Sequence, residues 1–374
     1  MLTQKGRGFQ PALDGQKKFH GLGPYDPETG DTAAAGLPTY AEVFANTLTS
    51  LADKDQRIVA ITAAMPNGTG LDLFRPRHPK RFFDVGIAEE HAVVFAAGMA
   101  TRGFRPVCAI YSTFLQRAFD PIVHDVCLQN LPVLFCMDRA GLSGDDGPTH
   151  HGLFDIAYLR GIPGIVLMSP KDEDELADML KTALEIPGPS AIRYPRGAVA
   201  GVARKPEPQI LPIGKADVLS DGSDVAILGL GPMISLAREL AATLARDGYS
   251  AALINPRFIK PLDREMLERY AKRVAVFVTF EDHVKMGGFG TAVVEALDEM
   301  GLAIPIVLSL IHISYPANPP PAPHSRSWPP SPARPRPPTA EGLSISASRN
   351  LPFSSGFKYR AATGLPVSRA PLPG

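Results

Sequence analysis

The sequence predicts an α/β protein of two domains, each built on a mainly parallel sheet flanked by helices. Two observations carry that prediction. From Leu37 onward, short apolar runs alternate with longer amphipathic ones, the pattern left by strands joined through right-handed helical crossovers. The alternation breaks once, at GVARKPEPQILP over 201–212, and then resumes. A chain of 374 residues has room for two cores of this kind.

Residues 1–36 read as a linker segment, since KGRG, His20 and a run rich in Gly, Pro and Asp show little periodicity. Over 37–200 the pattern predicts a helix at 40–52, strands at 58–62 and 82–85, a helix from 88 and a strand at 107–111. A helix at 114–129, a strand at 133–137, a long loop to 155, a strand at 165–168, a helix at 173–185 and a strand at 191–194 follow. Beyond the 201–212 linker, 213–307 forms the smaller domain, with strands at 225–229, 251–254, 274–279 and 304–307. Helices at 235–246, 263–272 and 290–300 separate them. Residues 308–374 cluster Pro, Arg, Ser and Ala, almost lack acidic residues and keep no period, the composition of a disordered tail. LSLIHIS at 308–314 is similar to a translated sequencing adapter, so this tail is expected to be non-native.

Charge and composition exclude several classes of function. The 38 basic and 38 acidic residues balance, which argues against binding nucleic acid or a membrane surface through bulk charge. No apolar run approaches the roughly 20 residues of a membrane span, and MLTQKGRGFQ lacks a signal-peptide core, so a cytoplasmic protein is expected. Cys108, Cys127 and Cys136 lie in apolar segments without CxxC spacing and read as small core residues.

The stretch RFFDVGIAEEHAVVFAAGMAT, 81–101, is where candidate chemistry begins. Phe82, Phe83 and Val85 make a strand, Gly86 a turn, and Ala92, Val93, Phe95, Ala96 and Met99 the core face of a helix. Glu89 and Glu90 fall in its first turn, where the helix dipole favours negative charge. With Ile87 and Ala88 as apolar neighbours, Glu89 is expected in a poorly solvated setting suited to proton exchange, leaving Glu90 the solvated place.

YSTFLQR carries Tyr111, Phe114 and Arg117 past a strand end, where open α/β sheets place ligand groups. On spacing alone Phe114 reads as core and Arg117 as a surface arginine. The loop DRAGLSGDDGPTHHGLFD brings Arg139, Asp146, His150 and His151 together, and its glycines allow close backbone approach. No metal ligand set emerges, because adjacent histidines point apart. RYPRG, 193–197, follows the last strand of this domain, and the Arg196 guanidinium beside Gly197 is suited to gripping a phosphate. In the second domain Gly229 and Gly231 fail the dinucleotide fingerprint, since Ile234 replaces the third glycine. The GGFG at 287–290 opens a helix and could hold an anion.

From about Met1 to about Val307 these motifs resemble the 1-deoxy-D-xylulose-5-phosphate synthase family of thiamine-diphosphate enzymes. The resemblance implies two transketolase-like domains, a pyrimidine-binding one at 37–200 and an incomplete C-terminal one at 213–307. It implies that Glu89, with Ile87 and Phe114 beside it, contacts the aminopyrimidine of the cofactor. His20 matches a histidine near that cofactor. Tyr111, Arg139 and Arg196 would hold the phosphate of glyceraldehyde 3-phosphate, while Arg117, Asp146 and His150 complete the substrate site. His150 would also take part in catalysis, as would His20. The implied reaction decarboxylates pyruvate and joins it to glyceraldehyde 3-phosphate in a homodimer. The family's magnesium and diphosphate motif, G-D-G followed by Asn, does not precede Glu89, so the chain is expected to be a fragment, inactive alone. Transketolase and a 2-oxoacid dehydrogenase β-subunit remain alternatives, as does a non-catalytic dimerisation fragment.

Overall fold

The computed structural model describes residues 6–14, 26, 28–29, 36–144 and 146–309. His20 and the segment 310–374 lie outside the described residues. The first sheet is built from β1 (Ile58–Thr62), β2 (Phe82–Asp84), β3 (Arg105–Tyr111), β4 (Leu134–Asp138), β5 (Val166–Met168) and β6 (Ser190–Arg193). The second uses β7 (Asp217–Ser220), β8 (Val225–Gly229) and β9 (Ala251–Asn255). The strand β10 (Phe258–Lys260) precedes β11 (Val276–Phe280) and β12 (Ile306–Ser309). Among the described residues the sheets have seven and five strands, in the orders β10-β5-β6-β4-β3-β1-β2 and β12-β11-β8-β9-β7.

All pairings are parallel except at one edge of each sheet, β10 on β5 and β7 on β9. Neither antiparallel edge was foreseen. FIK is only three residues long and stands between Pro256 and Pro261, so it has the look of a loop. Burial of Phe258 and Ile259 reveals it as a strand that the second half of the chain adds to the first sheet. The last strand also runs through Leu308 and Ser309, which pair with Thr279 and Phe280, whereas the sequence reading began the tail there.

Strands of the first sheet are apolar on both faces because helices cover both. Along β4, Leu134 and Cys136 join a cluster with Phe44, Leu48, Leu180 and Tyr194, while Phe135 and Met137 join Val93, Ala96 and Ile110 on the other face. That second cluster continues into Leu228, Phe277 and Phe289, so one apolar core runs between the two domains. The helix Tyr40–Lys54 begins at a capping box, in which Thr39 accepts from the Glu42 amide and Glu42 returns a carboxylate to Thr39. All three cysteines are buried, and burial pushes the Cys108 thiol up to about 12 and the Cys127 thiol to about 11.

The predicted helix at 114–129 is broken into short turns: Ser112–Leu115, Gln116–Ala118, Phe119–Pro121, then a wide π-type turn at Ile122–Cys127. Pro121 supplies no N–H and crowds the preceding turn, so a regular helix cannot pass through it. Helices Leu71–Arg77 and Asp155–Arg160 were not anticipated; the first contains Pro76 and starts at Gly70 in the left-handed region.

Candidate active site

In the sheet order, β6, β4 and β3 are neighbours, and their carboxyl ends lie side by side: Tyr111 pairs with Asp138, and Met137 with Arg193. Tyr111, Arg139 and Arg196 are therefore delivered to one place by topology. Arg139 follows β4 in the left-handed region, φ 61°, a strained conformation for a residue with a side chain. Its guanidinium lies 3.7 Å from the Tyr111 ring centre and donates to Asp138 Oδ1 (2.9 Å), the Gly68 carbonyl (2.9 Å) and Asp146 Oδ2 (3.1 Å). Gly68 has to be glycine, for a Cβ there would stand 1.6 Å from the Tyr111 hydroxyl oxygen.

Asp146 bridges the two arginines, with Arg196 Nη1 at 2.6 Å from Oδ1 and Ser143 Oγ donating to Oδ2 at 3.2 Å. The Phe114 ring stacks on Tyr111 at 5.5 Å, and His150 meets Phe114 edge-on at 5.2 Å. Thr149 Oγ1 is 2.9 Å from His150 Nδ1. Asp138 is buried beneath this cluster; desolvation pushes its carboxyl up to about 7 against the pull of Arg139, and Oδ2 has no hydrogen-bond partner among the described residues. Burial also raises the Tyr111 hydroxyl and lowers the His151 ring, whose Nδ1 accepts the Ser143 amide at 3.0 Å.

Glu89 opens the helix Glu89–Ala100 and is 3% exposed, whereas Glu90 faces solvent. Its Oε2 accepts from Arg117 Nη1 at 3.2 Å, and Oε1 takes no hydrogen bond among the described residues. Arg117, expected at the substrate, is thus the ion partner of Glu89. Ile87 is 79% exposed, so the helix and not Ile87 shields the carboxylate. Tyr111, Phe114, Arg139, Asp146, His150 and Arg196 form one cluster, and Glu89 and Arg117 form a separate pair.

A thiamine ring fits these residues in two respects: a buried carboxylate with one unengaged oxygen, and a half-buried aromatic ring, Phe114, three residues along the chain from the arginine that pairs with that carboxylate. Among the described residues no group of three or more His, Cys, Asp or Glu could hold a metal ion, so those residues do not fit magnesium.

One set of residues escaped the sequence reading. Arg193, the last residue of β6, is buried and donates through Nε to Asp155 (3.1 Å) and through Nη1 to Asp282 Oδ1 (2.5 Å). His283 Nε2 lies 3.7 Å from Asp155 Oδ1, and burial lowers its ring pKa. The available signal was an arginine inside an apolar strand, which requires a buried counter-ion. The GGFG helix start does bind an anion, but it is the chain's own Glu281, which accepts the Phe289 and Gly290 amides at 2.6 and 2.8 Å. Burial pushes the Glu281 carboxyl up to about 7.

Paired α/β domains with a helix-borne glutamate and strand-end arginines define a class that comparison with known proteins identifies. Residues 37–201 match the family "Transketolase, pyrimidine binding domain", and 214–327 match "Transketolase, C-terminal domain". A solved structure described as "Split gene transketolase, inactive beta4 tetramer" superposes with TM-score 0.68 at 33% identity, covering 74% of this chain and 90% of that one. The transketolase of Campylobacter jejuni shares the fold, with TM-score 0.57 at 18% identity over 71% of this chain and 45% of that one. The chain belongs to the transketolase family.

Within that family it is similar to 1-deoxy-D-xylulose-5-phosphate synthases. It is 71% identical to that of Acidobacterium capsulatum over 306 residues and 65% identical to that of Methylacidiphilum infernorum over 307. Both matches take in 82% of this chain and 49% of the relative, so the chain spans about half the length of these curated relatives.

Proposed function

We propose that this chain carries the pyrimidine-facing and substrate-phosphate half of a 1-deoxy-D-xylulose-5-phosphate synthase, acting on pyruvate and glyceraldehyde 3-phosphate. The convergence of Tyr111, Arg139 and Arg196 on neighbouring strand ends carries the reading, and the buried Glu89 paired with Arg117 supports it. Thiamine diphosphate would supply the carbanion chemistry that removes carbon dioxide from pyruvate. Glu89, held by Arg117 in the first turn of its helix, would accept a hydrogen bond from the aminopyrimidine and fix its tautomer. Ile87 and Phe114 would flank that ring. Arg139 and Arg196 would take the triose phosphate in forked hydrogen bonds, with Asp146 keeping their charges paired until it arrives. His150, against Phe114, is placed to move a proton near the aldehyde.

On this reading, magnesium, the diphosphate and His20 belong to parts of the site outside the described residues. The assembly would be a homodimer in the cytoplasm; among the described residues no helix is long and apolar enough to cross a membrane. The proposed domain division is a linker at 1–36, the pyrimidine domain at 37–200, a linker at 201–212 and the C-terminal domain at 213–307. The similarity to one chain of a split-gene transketolase favours a second reading, in which this chain works only with a separate diphosphate-binding partner.

The test mixes the chain with the separately produced amino-terminal half of the Acidobacterium capsulatum synthase and follows carbon dioxide release from pyruvate. Release that depends on glyceraldehyde 3-phosphate, and falls at least about a hundredfold in Glu89→Gln with folding unchanged, is expected. Acyl transfer to lipoamide instead would establish the dehydrogenase alternative. Binding without turnover would leave the dimerisation fragment.

A further inference from the structure

Each segment that carries the phosphate-facing cluster rests on one buried ionic network, and the second domain supplies half of it. Ser112, next to Tyr111, donates its hydroxyl to Asp155 Oδ2 at 3.0 Å. Arg193, three residues before Arg196, joins Asp155 to Asp282. The next residue, Tyr194, accepts the Ala140 amide at 3.0 Å, which fixes the backbone beside Arg139. Gly141 and Gly152 exchange amide hydrogen bonds of 2.8 Å at the base of the loop bearing Asp146 and His150. Gly141 lies directly on Asp282: a Cβ there would stand 2.2 Å from Oδ2. Gly152 likewise packs on Ser112 Oγ and the Arg139 carbonyl, each 2.4 Å from a Cβ placed there.

We propose that Asp282 is a positioning residue for the first domain's site: from the second domain it sets, through Arg193 and Gly141, the orientation of the Arg139 guanidinium. Arg139 sits in a left-handed conformation that its own chain does not favour, so the surrounding backbone has to hold it there. Asp282 touches that backbone on both sides, at Gly141 by packing and at Tyr194 through Arg193. Among the described residues its hydrogen-bond partner is Arg193, so its effect on the site would be felt through the backbone that carries Arg139. The functional meaning of this brace rests on reading Arg139 as a phosphate ligand; the brace itself does not.

The test uses the full chain with 15N-labelled arginine and measures hydrogen exchange at the Arg139 Nε–H, which in the native protein is bonded to Asp146. Asp282→Ala is expected to speed that exchange about tenfold while the backbone amides of β4 stay protected, and Asp282→Asn, which keeps an acceptor for Arg193, to restore it. Unchanged Arg139 exchange in folded Asp282→Ala would overturn the proposal. Should Asp282→Ala fail to fold, Asp282→Glu keeps the charge but displaces it by one methylene against Gly141 and Arg193 and is expected to speed exchange about threefold, no change again counting against the brace. Titrating the unsubstituted chain with inorganic phosphate probes the ligand reading separately. Absent phosphate binding with accelerated exchange in the variant would retire the functional reading and keep Asp282 in its role.

Discussion

Two arginine-carboxylate assemblies lie within a few residues of each other along β6 and its exit, and they are built from the same groups for different ends. Arg193 is 1% exposed and held by Asp155 and Asp282 on elements that cannot move apart without opening the core. Arg196, three residues later, is 28% exposed at its side chain and shares Asp146 with Arg139 in a glycine-rich loop. The pairing is the same, and burial decides its use. A sealed pair is desolvated already and can only brace; a half-open pair can exchange its carboxylate for an incoming anion.

The largest effect should come from the sealed assembly. Arg193→Met would leave Asp155 and Asp282 as buried carboxylates without a counter-ion, and the expected loss is about 3–5 kcal/mol in urea unfolding. A loss below about 1 kcal/mol would mean that water or relaxation replaces the arginine and that the two assemblies are not different in kind. The half-open assembly should respond in the opposite way. Arg196→Met is expected to cost little stability but to weaken binding of glyceraldehyde 3-phosphate by roughly 30- to 100-fold in calorimetry, the loss of a charge-assisted hydrogen bond. Undiminished affinity would move the phosphate elsewhere.

Asp138 lies between the two extremes, buried like the brace but bonded to an arginine of the site. Its carboxyl is raised in the folded protein to about 7 from an ordinary 3.8. A raised acid stabilises the fold fully below its unfolded pKa, and that contribution is lost as the pH climbs through the folded value. Asp138→Asn removes this dependence while keeping an acceptor for Arg139. The stability of the variant relative to the native protein should therefore rise by roughly 2 kcal/mol between pH 5 and pH 8. Glu281 and His283 titrate alike in both proteins and cancel from the difference. Parallel stability curves would show Asp138 to be ionised throughout.

Much of this division was legible in the amino-acid order. Glu89 at a helix start, and the arginines of DRAG and RYPRG at strand ends, could be placed because the strand-helix alternation fixes where each strand ends. Phe114 and His150 could be assigned to the same region, but the stacking of Phe114 on Tyr111 and the edge-on approach of His150 to Phe114 depend on loop closure that spacing does not encode. The pairing of Arg117 with Glu89 could not be read from spacing, because the two lie 28 residues apart on different elements. Asp282 and Arg193 were invisible as a pair for a similar reason: 89 residues and a domain boundary separate them. Local periodicity shows that an arginine lies in a strand, while only the packing of the second domain shows what neutralises it.

The smallest expected effect bounds the comparison from the exposed side. Arg160 and Glu295 also join the two domains, with bonds of 2.6 and 2.7 Å, shorter on average than those of Arg193 with Asp155. Length alone would rank this pair above the buried one. Glu295, however, is half exposed, and water solvates its carboxylate nearly as well as the arginine does, so the ion pair gains little over the separated charges. Arg160 keeps its other bond, to the Gly287 carbonyl at 2.7 Å, when Glu295 is gone. Glu295→Ala should therefore cost less than about 0.5 kcal/mol in urea unfolding, and less still at high salt, where exposed charges are screened. A cost near that of Arg193→Met would mean that the domain boundary is held by its rim, and that burial is not what separates the sealed assembly from the half-open one.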